Sequence, residues 1–391
     1  MQFSILKSDL VKALKPLVFS TYNTSSSSML FKISSKDEGS VRSCSGVFAN
    51  KSMLKIFDVS DGLTPCEFTI HSNGFLNFVS SLPSEKIIFF KEDEALKLRG
   101  VWSDNGEENY TDQTYEYLNV KIPSIEGIME KSTNNGSAYG SVLLESLKFT
   151  ESLFNKESVN TSMFCTDGKM IFIDEVKIGM FELPNFKLPS FEVSSANIHN
   201  IIQFLSEHAD EQISVLNLLI GPKESNGYAF LSSDKSVIIY GLDKSKESEM
   251  ILNETFNTEK FNASFEINNS KILPNLRLVK STVVNLVDEL SLEIYDTHVV
   301  LSKPPHFKSK LSIKHITEFK NTMKLKVQYS NLLTVLSSFP KKDLVLSIDN
   351  TDKRLQIESS LKIEDDSSDS KEILSCNTYC LLHYWNSDGP K

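Results

Sequence analysis

The chain contains 391 residues, of which 40% are hydrophobic and 24% charged, close to the usage of ordinary globular proteins. This composition excludes a wholly disordered chain, and the length predicts about two to four domains. With 41 basic and 51 acidic side chains, the net charge is −10. That charge excludes a uniformly basic nucleic-acid coat, but it does not exclude a local basic surface.

The N-terminal residues, the hydropathy pattern and the cysteines indicate the cellular compartment of the chain. Residues 1–14 lack the apolar stretch of a secretory signal peptide, and no run of residues is apolar enough to predict a transmembrane helix. The five cysteines are sparse, and only Cys376 and Cys380 lie close together. A zinc site needs about four ligands. The pattern therefore predicts reduced thiols in a cytoplasmic protein, with no metal and no cofactor.

The first predicted elements are a strand and a helix. Residues 3–5 alternate between apolar and polar side chains, and Ser8 is a candidate N-cap for the helix that follows. That helix is predicted over residues 7–20, and Pro16 is expected to kink or shorten it. Its apolar stripe consists of Leu10, Leu14 and Leu17. Alternating segments after it predict short strands, at residues 29–34, 41–48, 54–59 and 67–70.

A second helix is predicted over residues 71–84, and its pattern recurs twice. FLNFVSSLP at 75–83 matches LLTVLSSFP at 332–340, with apolar residues spaced i, i+1, i+3 and i+4 on one helix face. Pro83 and Pro340 should end the two helices. The segment IIQFL at 201–205 is a third copy. The later copies predict helices over residues 195–210 and 328–342.

The elements around these helices repeat as well. Each second helix precedes an apolar strand, a polar turn and another strand; the apolar strands are predicted at 86–90, 213–219 and 344–348. A helix equivalent to residues 7–20 is predicted earlier in each later unit, over residues 143–157 and 270–282. Ser270 is a candidate N-cap for the last of these.

The chain therefore divides into three units of about 130 residues, each rich in strands and carrying two short helices. Polar, turn-rich boundaries fall near residues 132–140 and 245–260. The predicted domains are residues 1–135, 136–259 and 260–391. The expected fold class is α+β, with antiparallel sheets. Residues 364–370 form an acidic, serine-rich insertion that predicts a loop.

This tandem of three units resembles the bacterial-type DNA polymerase sliding clamp (beta clamp) family, as a divergent member of bacterial or viral origin. The resemblance is carried by residues 75–100, residues 332–359 and the final strand at 378–385. It implies the DNA clamp fold and a head-to-tail homodimer that closes a ring of six domains. Helices would line the hole, and sheets would lie outside. A location in the bacterial cytoplasm or in a virus-infected host cell is implied.

The function implied by the resemblance is that of a processivity factor, which encircles double-stranded DNA without reading its sequence and tethers the replicative DNA polymerase. Further implied partners are a clamp loader and a second copy of the chain. The family's Thr-Asp-Gly-His-Arg-like segment is replaced here by residues 174–178, and its C-terminal Met-Pro-Met pattern by residues 382–384. By position, the implied partner-peptide pocket is lined by Val176, Ile178, Leu382 and Tyr384.

Charge is distributed unevenly among the three predicted domains. The first has 14 basic and 17 acidic side chains, the second 9 and 18, and the third 18 and 16. Basic residues concentrate on the predicted helices, where a ring sliding on phosphates would need them. The candidate DNA-binding residues are Lys7, Lys12, Lys15, Lys148, Lys271, Arg277, Lys280, Lys341 and Lys342. Individually, each of these residues equally suits an ordinary solvated helix face.

Catalytic signatures give no support for an enzyme. The sequence contains no GxxxxGK[S/T] phosphate loop, no HExxH zinc motif and no GxSxG nucleophile elbow. We therefore expect a non-catalytic protein. Two alternatives remain at this point: a clamp-fold accessory factor that forms no ring, and a β-rich repeat protein with a structural or virion role.

Overall fold

The computed structural model describes most of the chain. The described residues are 2–20, 27–34, 38–45, 51–62, 65–72, 74–92, 94–119, 124–130, 132–153, 162–166, 168–173, 177–183, 187–220, 225–233, 235–241, 261, 263–280, 289–317, 322–340, 342–349, 353–365, 372–383 and 385–386. Helices within them are α1 (Lys7–Ser20), α2 (Phe75–Ser81), α3 (Ile125–Met129), α4 (Gly140–Leu153), α5 (Ser195–Glu207), α6 (Asn269–Val279) and α7 (Tyr329–Ser338).

Two compact units make up the chain, and the first comprises residues 1–140 and 199–243. One of its sheets contains β1 (Gln2–Leu6), β5 (Asp61–Gly62), β7 (Lys86–Glu92), β8 (Ala95–Asp104) and β9 (Glu107–Glu116), in the order β5-β1-β7-β8-β9. The other contains β2 (Ser27–Ile33), β3 (Glu38–Ser45), β4 (Lys51–Asp58), β6 (Cys66–His71), β10 (Ser132–Tyr139), β15 (Gln212–Ile220), β16 (Ser225–Leu231) and β17 (Val237–Gly241). Its order is β10-β15-β16-β17-β4-β3-β2-β6.

The second unit comprises residues 141–198 and 244–391. Its larger sheet contains β11 (Ser162–Thr166), β12 (Lys169–Ile173), β13 (Lys177–Glu182), β14 (Phe191–Ser194), β18 (Ala263–Asn268), β22 (Lys314–His315), β24 (Asp343–Asp349), β25 (Arg354–Asp365) and β26 (Glu372–His383), in the order β14-β11-β12-β13-β26-β25-β24-β18-β22. Its smaller sheet contains β19 (Glu289–Ile294), β20 (His298–Lys303), β21 (Phe307–Ser312), β23 (Met323–Gln328) and β27 (Trp385–Asn386), in the order β21-β20-β19-β23-β27.

One backbone motif occurs three times. A strand leads into the first helix of each repeat and pairs with the strand that follows the second helix: β1 with β7, β10 with β15 and β18 with β24. The first residue of each first helix donates its backbone N–H to the same carbonyl position, from Lys7 to Glu85, Gly140 to Glu211 and Asn269 to Lys342, each at 2.8 Å. The predicted threefold repeat is therefore present in the backbone.

Gly140 is required at its position in the middle copy. A Cβ atom there would lie 2.1 Å from the carbonyl oxygen of His208. Real Cβ atoms do not approach backbone oxygen that closely, so a larger residue would force the backbone at residue 140 or at His208 to shift.

The predicted helices are found, with ends set by local chemistry. The prolines end the second helices as expected: Leu82 and Phe339 are extended, with ψ of 134° and 153°, because each precedes a proline. Pro16 does not shorten α1, which continues to Ser20. Its ring is buried, so packing offsets the lost backbone hydrogen bond.

The N-cap of α6 lies two residues earlier than the sequence indicates. The side chain of Asn268 accepts a hydrogen bond from the backbone N–H of Ser270 at 3.0 Å, so Asn268 is the cap and Ser270 is not. Both residue types suit the position, and the pairing of β18 with β24 through Asn268 decides between them.

Candidate nucleic-acid and partner surfaces

Six of the predicted DNA-binding cations are exposed and make no ion pair among the described residues: Lys12, Lys15, Lys271, Arg277, Lys280 and Lys342. On α1, the leucines of the apolar stripe are completely buried, so Lys12 and Lys15 point away from the core. On α6, Ile272 and Leu276 are buried in the same way. The amphipathic pattern of these helices thus leaves the cations exposed to solvent, where they are accessible to phosphate groups.

The remaining predicted DNA-binding cations are paired, partly buried or outside the described residues. Lys148 is exposed on α4 but forms an ion pair of 3.1 Å with Glu145, which neutralises its charge locally. Lys7 is half-buried, and its ammonium donates to the backbone carbonyl of Leu82 at the end of α2. Lys341 lies outside the described residues.

The contact made by Lys7 has a counterpart in the third repeat. There the side-chain Nδ2 of Asn269 donates to the carbonyls of Leu336, Phe339 and Pro340 at 2.9, 3.2 and 2.9 Å. In both repeats the first residue of the first helix satisfies carbonyls left open where the second helix ends. Lys7 therefore has a structural role, which sequence patterning alone does not distinguish from a surface lysine.

Strand pairing shows where two of the residues predicted to line the peptide pocket lie. Ile178 on β13 pairs with Leu381 on β26, and Lys177 pairs with Leu382. Because side chains alternate along a strand, Ile178 and Leu382 point to opposite faces of the sheet. Leu382 is buried, and Ile178 is partly exposed. The structure brings the two strands together but not the two side chains; Val176 and Tyr384 lie outside the described residues.

Two edge strands carry opposite charges. β9, at the edge of the five-stranded sheet of the first unit, carries Glu107, Glu108, Asp112 and Glu116. β21, at the edge of the five-stranded sheet of the second unit, carries Lys308 and Lys310. The predicted binding residues include none of these. The alternation of charge in EENYTDQTYE and FKSKLS is the signal that sequence reading could have used.

The surface of β9 is ordered by an arginine. Arg99 on β8 makes two hydrogen bonds of 2.7 Å to the carboxylate of Asp112, and its guanidinium lies 4.4 Å from the ring centre of Tyr110. The bond from Arg99 lowers the pKa of Asp112 and raises that of Arg99. Tyr110 remains 61% exposed. Tyrosine and arginine are among the residue types enriched at the residues that dominate protein interfaces.

Both edge strands have one face toward a helix. Tyr115 of β9 packs against Phe75 of α2, with ring centres 5.2 Å apart. Ser309 of β21 donates to Asn275 of α6 at 2.8 Å. By alternation, Glu108, Asp112 and Glu116 share the outer face of β9, and Lys308 and Lys310 share the outer face of β21. Leu278 of α6, in the same unit as β21, is 64% exposed.

The described residues lack metal-ligand clusters and membrane-spanning helices. Within the described part of the chain, no group of three or more His, Cys, Asp or Glu side chains is placed to hold a metal ion. None of the described helices is long and apolar enough to cross a membrane.

Comparisons with known proteins place the fold. No protein-family model and no curated protein matches the sequence. Solved structures do match: a DNA polymerase sliding clamp from Pseudomonas aeruginosa has a TM-score of 0.73 at 13% identity, covering 99% of this chain and 100% of that one. The chain has the sliding-clamp fold. A Helicobacter pylori beta clamp bound to a DNA ligase peptide agrees over the same shares, with a TM-score of 0.72 at 14% identity.

The clamp fold confirms the predicted class, an α+β chain of antiparallel sheets and short helices. The low identity fits the departures already noted, where the clamp family's usual residues are absent at 174–178 and 382–384. Fold is retained at such divergence because a core needs apolar side chains of suitable size rather than particular residues.

Proposed function

We propose that this protein is a DNA polymerase sliding clamp, a non-catalytic processivity factor that encircles double-stranded DNA and tethers a replicative polymerase. The observation that carries the proposal is a likeness to sliding clamps over 99% of the chain. The proposal includes three clamp domains, at residues 1–135, 136–259 and 260–391, and a clamp loader that opens the ring. It places the protein in the cytoplasm of a bacterium or of a virus-infected cell.

DNA would be held through its phosphates. Exposed cations on α1 and α6 supply positive charge on a chain that is acidic overall, and such contacts carry no sequence information. The proposed contacts are Lys12, Lys15, Lys148, Lys271, Arg277, Lys280, Lys341 and Lys342. Lys7 is left out because its ammonium is engaged by Leu82.

The way the sheets continue within the chain supports ring closure by a second copy. In each larger sheet, the third strand after the second helix of one repeat pairs with the third strand after the first helix of the preceding repeat. β17 of the second repeat pairs with β4 of the first, and β26 of the third pairs with β13 of the second. Both pairings are antiparallel.

The same pairing rule identifies the two strands that would pair with a second copy. For the first repeat the equivalent of β17 and β26 is β9, and for the third repeat the equivalent of β4 and β13 is β21. Each is an edge strand of a five-stranded sheet. Pairing β9 of one copy with β21 of a second would cover both edges. Two copies related by a twofold axis make this contact twice, which closes a ring of six repeats.

The charges of the two strands fit this contact. With helices on the same side of the joined sheet, the outward carboxylates of β9 would lie beside the outward lysines of β21. Opposite charges on neighbouring strands stabilise their pairing. Tyr110 and Leu278 supply exposed apolar groups near the two edges.

Partner proteins would dock as short peptides, as the DNA ligase peptide does on the Helicobacter pylori clamp. We place this site near the junction of β13 and β26. Of the residues predicted to line it, Val176, Ile178 and Tyr384 are kept, and Leu382 is left out because it is buried. Since Ile178 and Leu382 occupy opposite faces, the face of Ile178 is the one a peptide would contact. An alanine substitution of Ile178 should weaken capture of the polymerase while leaving the solution mass unchanged.

Solution mass and polymerase assays test the proposal together. The chain should have a mass near twice 44.1 kDa and should lengthen the products that its polymerase makes on a primed circular template. A ring-forming chain without polymerase stimulation would indicate the structural or virion role. A monomer that stimulates the polymerase would indicate a clamp-fold factor that forms no ring.

A further inference from the structure

A histidine occupies a position that is hydrocarbon in the other two repeats. Counting back three residues from the carbonyls of Glu85, Glu211 and Lys342, which accept the repeated backbone hydrogen bond, gives Leu82, His208 and Phe339. Leu82 and Phe339 are 3% and 4% exposed, as expected of core residues, and His208 is buried to the same extent, at 4%. The middle repeat therefore has an ionisable ring where its siblings have only apolar packing.

The ring of His208 bridges two charged side chains. Its Nε2 lies 2.9 Å from the ammonium of Lys55 on β4, and its Nδ1 lies 2.9 Å from Oε1 of Glu211. The same ammonium forms an ion pair of 2.6 Å with Glu207, the last residue of α5. Lys55 is 6% exposed. These contacts join β4 of the first repeat to the end of α5 in the second, all within the first unit.

The hydrogen-bond partners of the imidazole indicate which of its nitrogens accepts and which donates. A lysine ammonium can only donate, so Nε2 must be the acceptor and carries no proton. The single ring proton is then on Nδ1 and faces Glu211. Burial raises the pKa of Glu211, but hydrogen bonds from His208 and Ser233 outweigh burial and lower it overall. Glu211 therefore stays ionised, and any change with pH must arise on the Nε2 side.

A second proton on the ring would remove the acceptor that Lys55 uses. Two buried cationic donors would then face each other at the position of the present hydrogen bond. The surrounding cavity, of about 390 Å³, is lined by further charges: Asp9 and Lys12 of α1, Asp58 of β4, Glu207 and Glu211. The carboxylates reduce the repulsion, but they do not restore an acceptor at Nε2, and the cavity gives Lys55 room to withdraw.

We propose that His208 is an acid-sensitive latch: its neutral ring accepts from Lys55 and so helps to tie β4 to the end of α5. Its protonation removes this acceptor, leaves Glu207 as the partner of Lys55 and loosens the joint. The latch belongs only to the joint between the first and second repeats. The equivalent place in the second unit is packed by Phe149 and Phe339, whose ring centres lie 5.3 Å apart. That contact has no group that titrates.

Hydrogen exchange followed by mass spectrometry tests the latch on the full chain without DNA. After correction for intrinsic exchange rates, lowering the pH from about 7.5 to about 5.5 spans the range in which histidine titrates. It should speed exchange in residues 51–58 and 201–211 about tenfold, the scale of a lost hydrogen bond to a charged group. The strands around Phe149 and Phe339 should not change.

Two variants and a control make the test decisive. His208→Phe installs the residue of the third repeat and should abolish the pH response, and Lys55→Met should do the same by removing the opposing cation. His306→Gln alters an exposed histidine of the other unit and should respond as the wild type does. Equal exchange of the wild type at both pH values would overturn the proposal, as would a pH response that persists in whichever of the two variants folds.

Discussion

Reversing the charge of one edge strand should prevent closure of the proposed ring. Glu108 and Glu116 lie on the outer face of β9, and neither forms an ion pair among the described residues. Changing both to lysine would set them against Lys308 and Lys310 of a second copy. A pair of opposite charges on neighbouring strands contributes about 0.2–1 kcal/mol, and like charges cost a similar amount.

The size of the effect follows from the number of pairs. Converting one pair from attraction to repulsion changes the free energy of association by about 1 kcal/mol at the middle of that range. Two pairs at each interface give about 2 kcal/mol, and a ring with two interfaces gives about 4 kcal/mol. The dissociation constant of the dimer should therefore rise on the order of 1000-fold.

Sedimentation equilibrium measures this constant directly, and the symmetry of the contact supplies a rescue. The E108K/E116K variant and the K308E/K310E variant should each be monomeric at concentrations where the wild type is dimeric. Mixed in equal amounts they should form dimers again, because one interface then has reversed but opposite charges and the other has the native ones. A dimeric E108K/E116K variant, or a mixture that stays monomeric, would refute the proposed contact. E94K/E130K, an equal charge change at exposed sites off β9, should remain dimeric.

Three further predictions concern single features. In DNA-binding assays, K12A/K15A should weaken binding and lower the dependence on salt by about two released counterions, whereas Lys7→Ala should leave the salt dependence unchanged and reduce thermal stability instead; the reverse pattern would reassign Lys7. Gly140→Ala should lower the free energy of unfolding by about 2–4 kcal/mol in urea titrations because of the clash with the backbone of His208. An effect below about 0.5 kcal/mol would show that the backbone at residue 140 shifts freely. Arg99 lowers the folded-state pKa of Asp112, so the stabilisation by the ionised Asp112 is complete above the unfolded-state pKa and is lost as the pH falls through the folded-state pKa. Asp112→Asn should therefore reduce the free energy of unfolding at pH 7, and the difference in that free energy between variant and wild type should become smaller in acid. An equal difference at both pH values would contradict this.

Local sequence chemistry predicts the repeated helices well. The apolar spacing around Phe75 and Leu332 indicates a helix face, and the prolines at 83 and 340 mark where each helix stops. These signals act within a few residues, so they can be read without knowing the tertiary structure. The three copies of this pattern are the basis of the predicted domain organisation and of the family resemblance.

Features that depend on strand partners could not be read in this way. The opposite faces of Ile178 and Leu382 follow from the register between β13 and β26, whose partners are some 200 residues apart in the chain. The engagement of Lys7 by Leu82, the burial of His208 beside Lys55 and the exposed edges of β9 and β21 likewise depend on which distant segments meet. Exposure was therefore predictable for Lys12 and Lys15 of α1 and for the cations of α6, but not for Lys7 or for the candidate residues on strands.

Two copies are proposed to enclose duplex DNA, and a topological measurement tests this enclosure. The protein is assembled at low salt with nicked circular DNA, joined covalently by a bifunctional reagent specific for lysine, and passed over a sizing column in 1 M salt. The enclosing ring should co-elute with the circle and be released when a restriction enzyme cuts the DNA once. Cross-linked dimers that fail to co-elute with the circle, or that stay on the DNA equally well after cutting, would contradict enclosure.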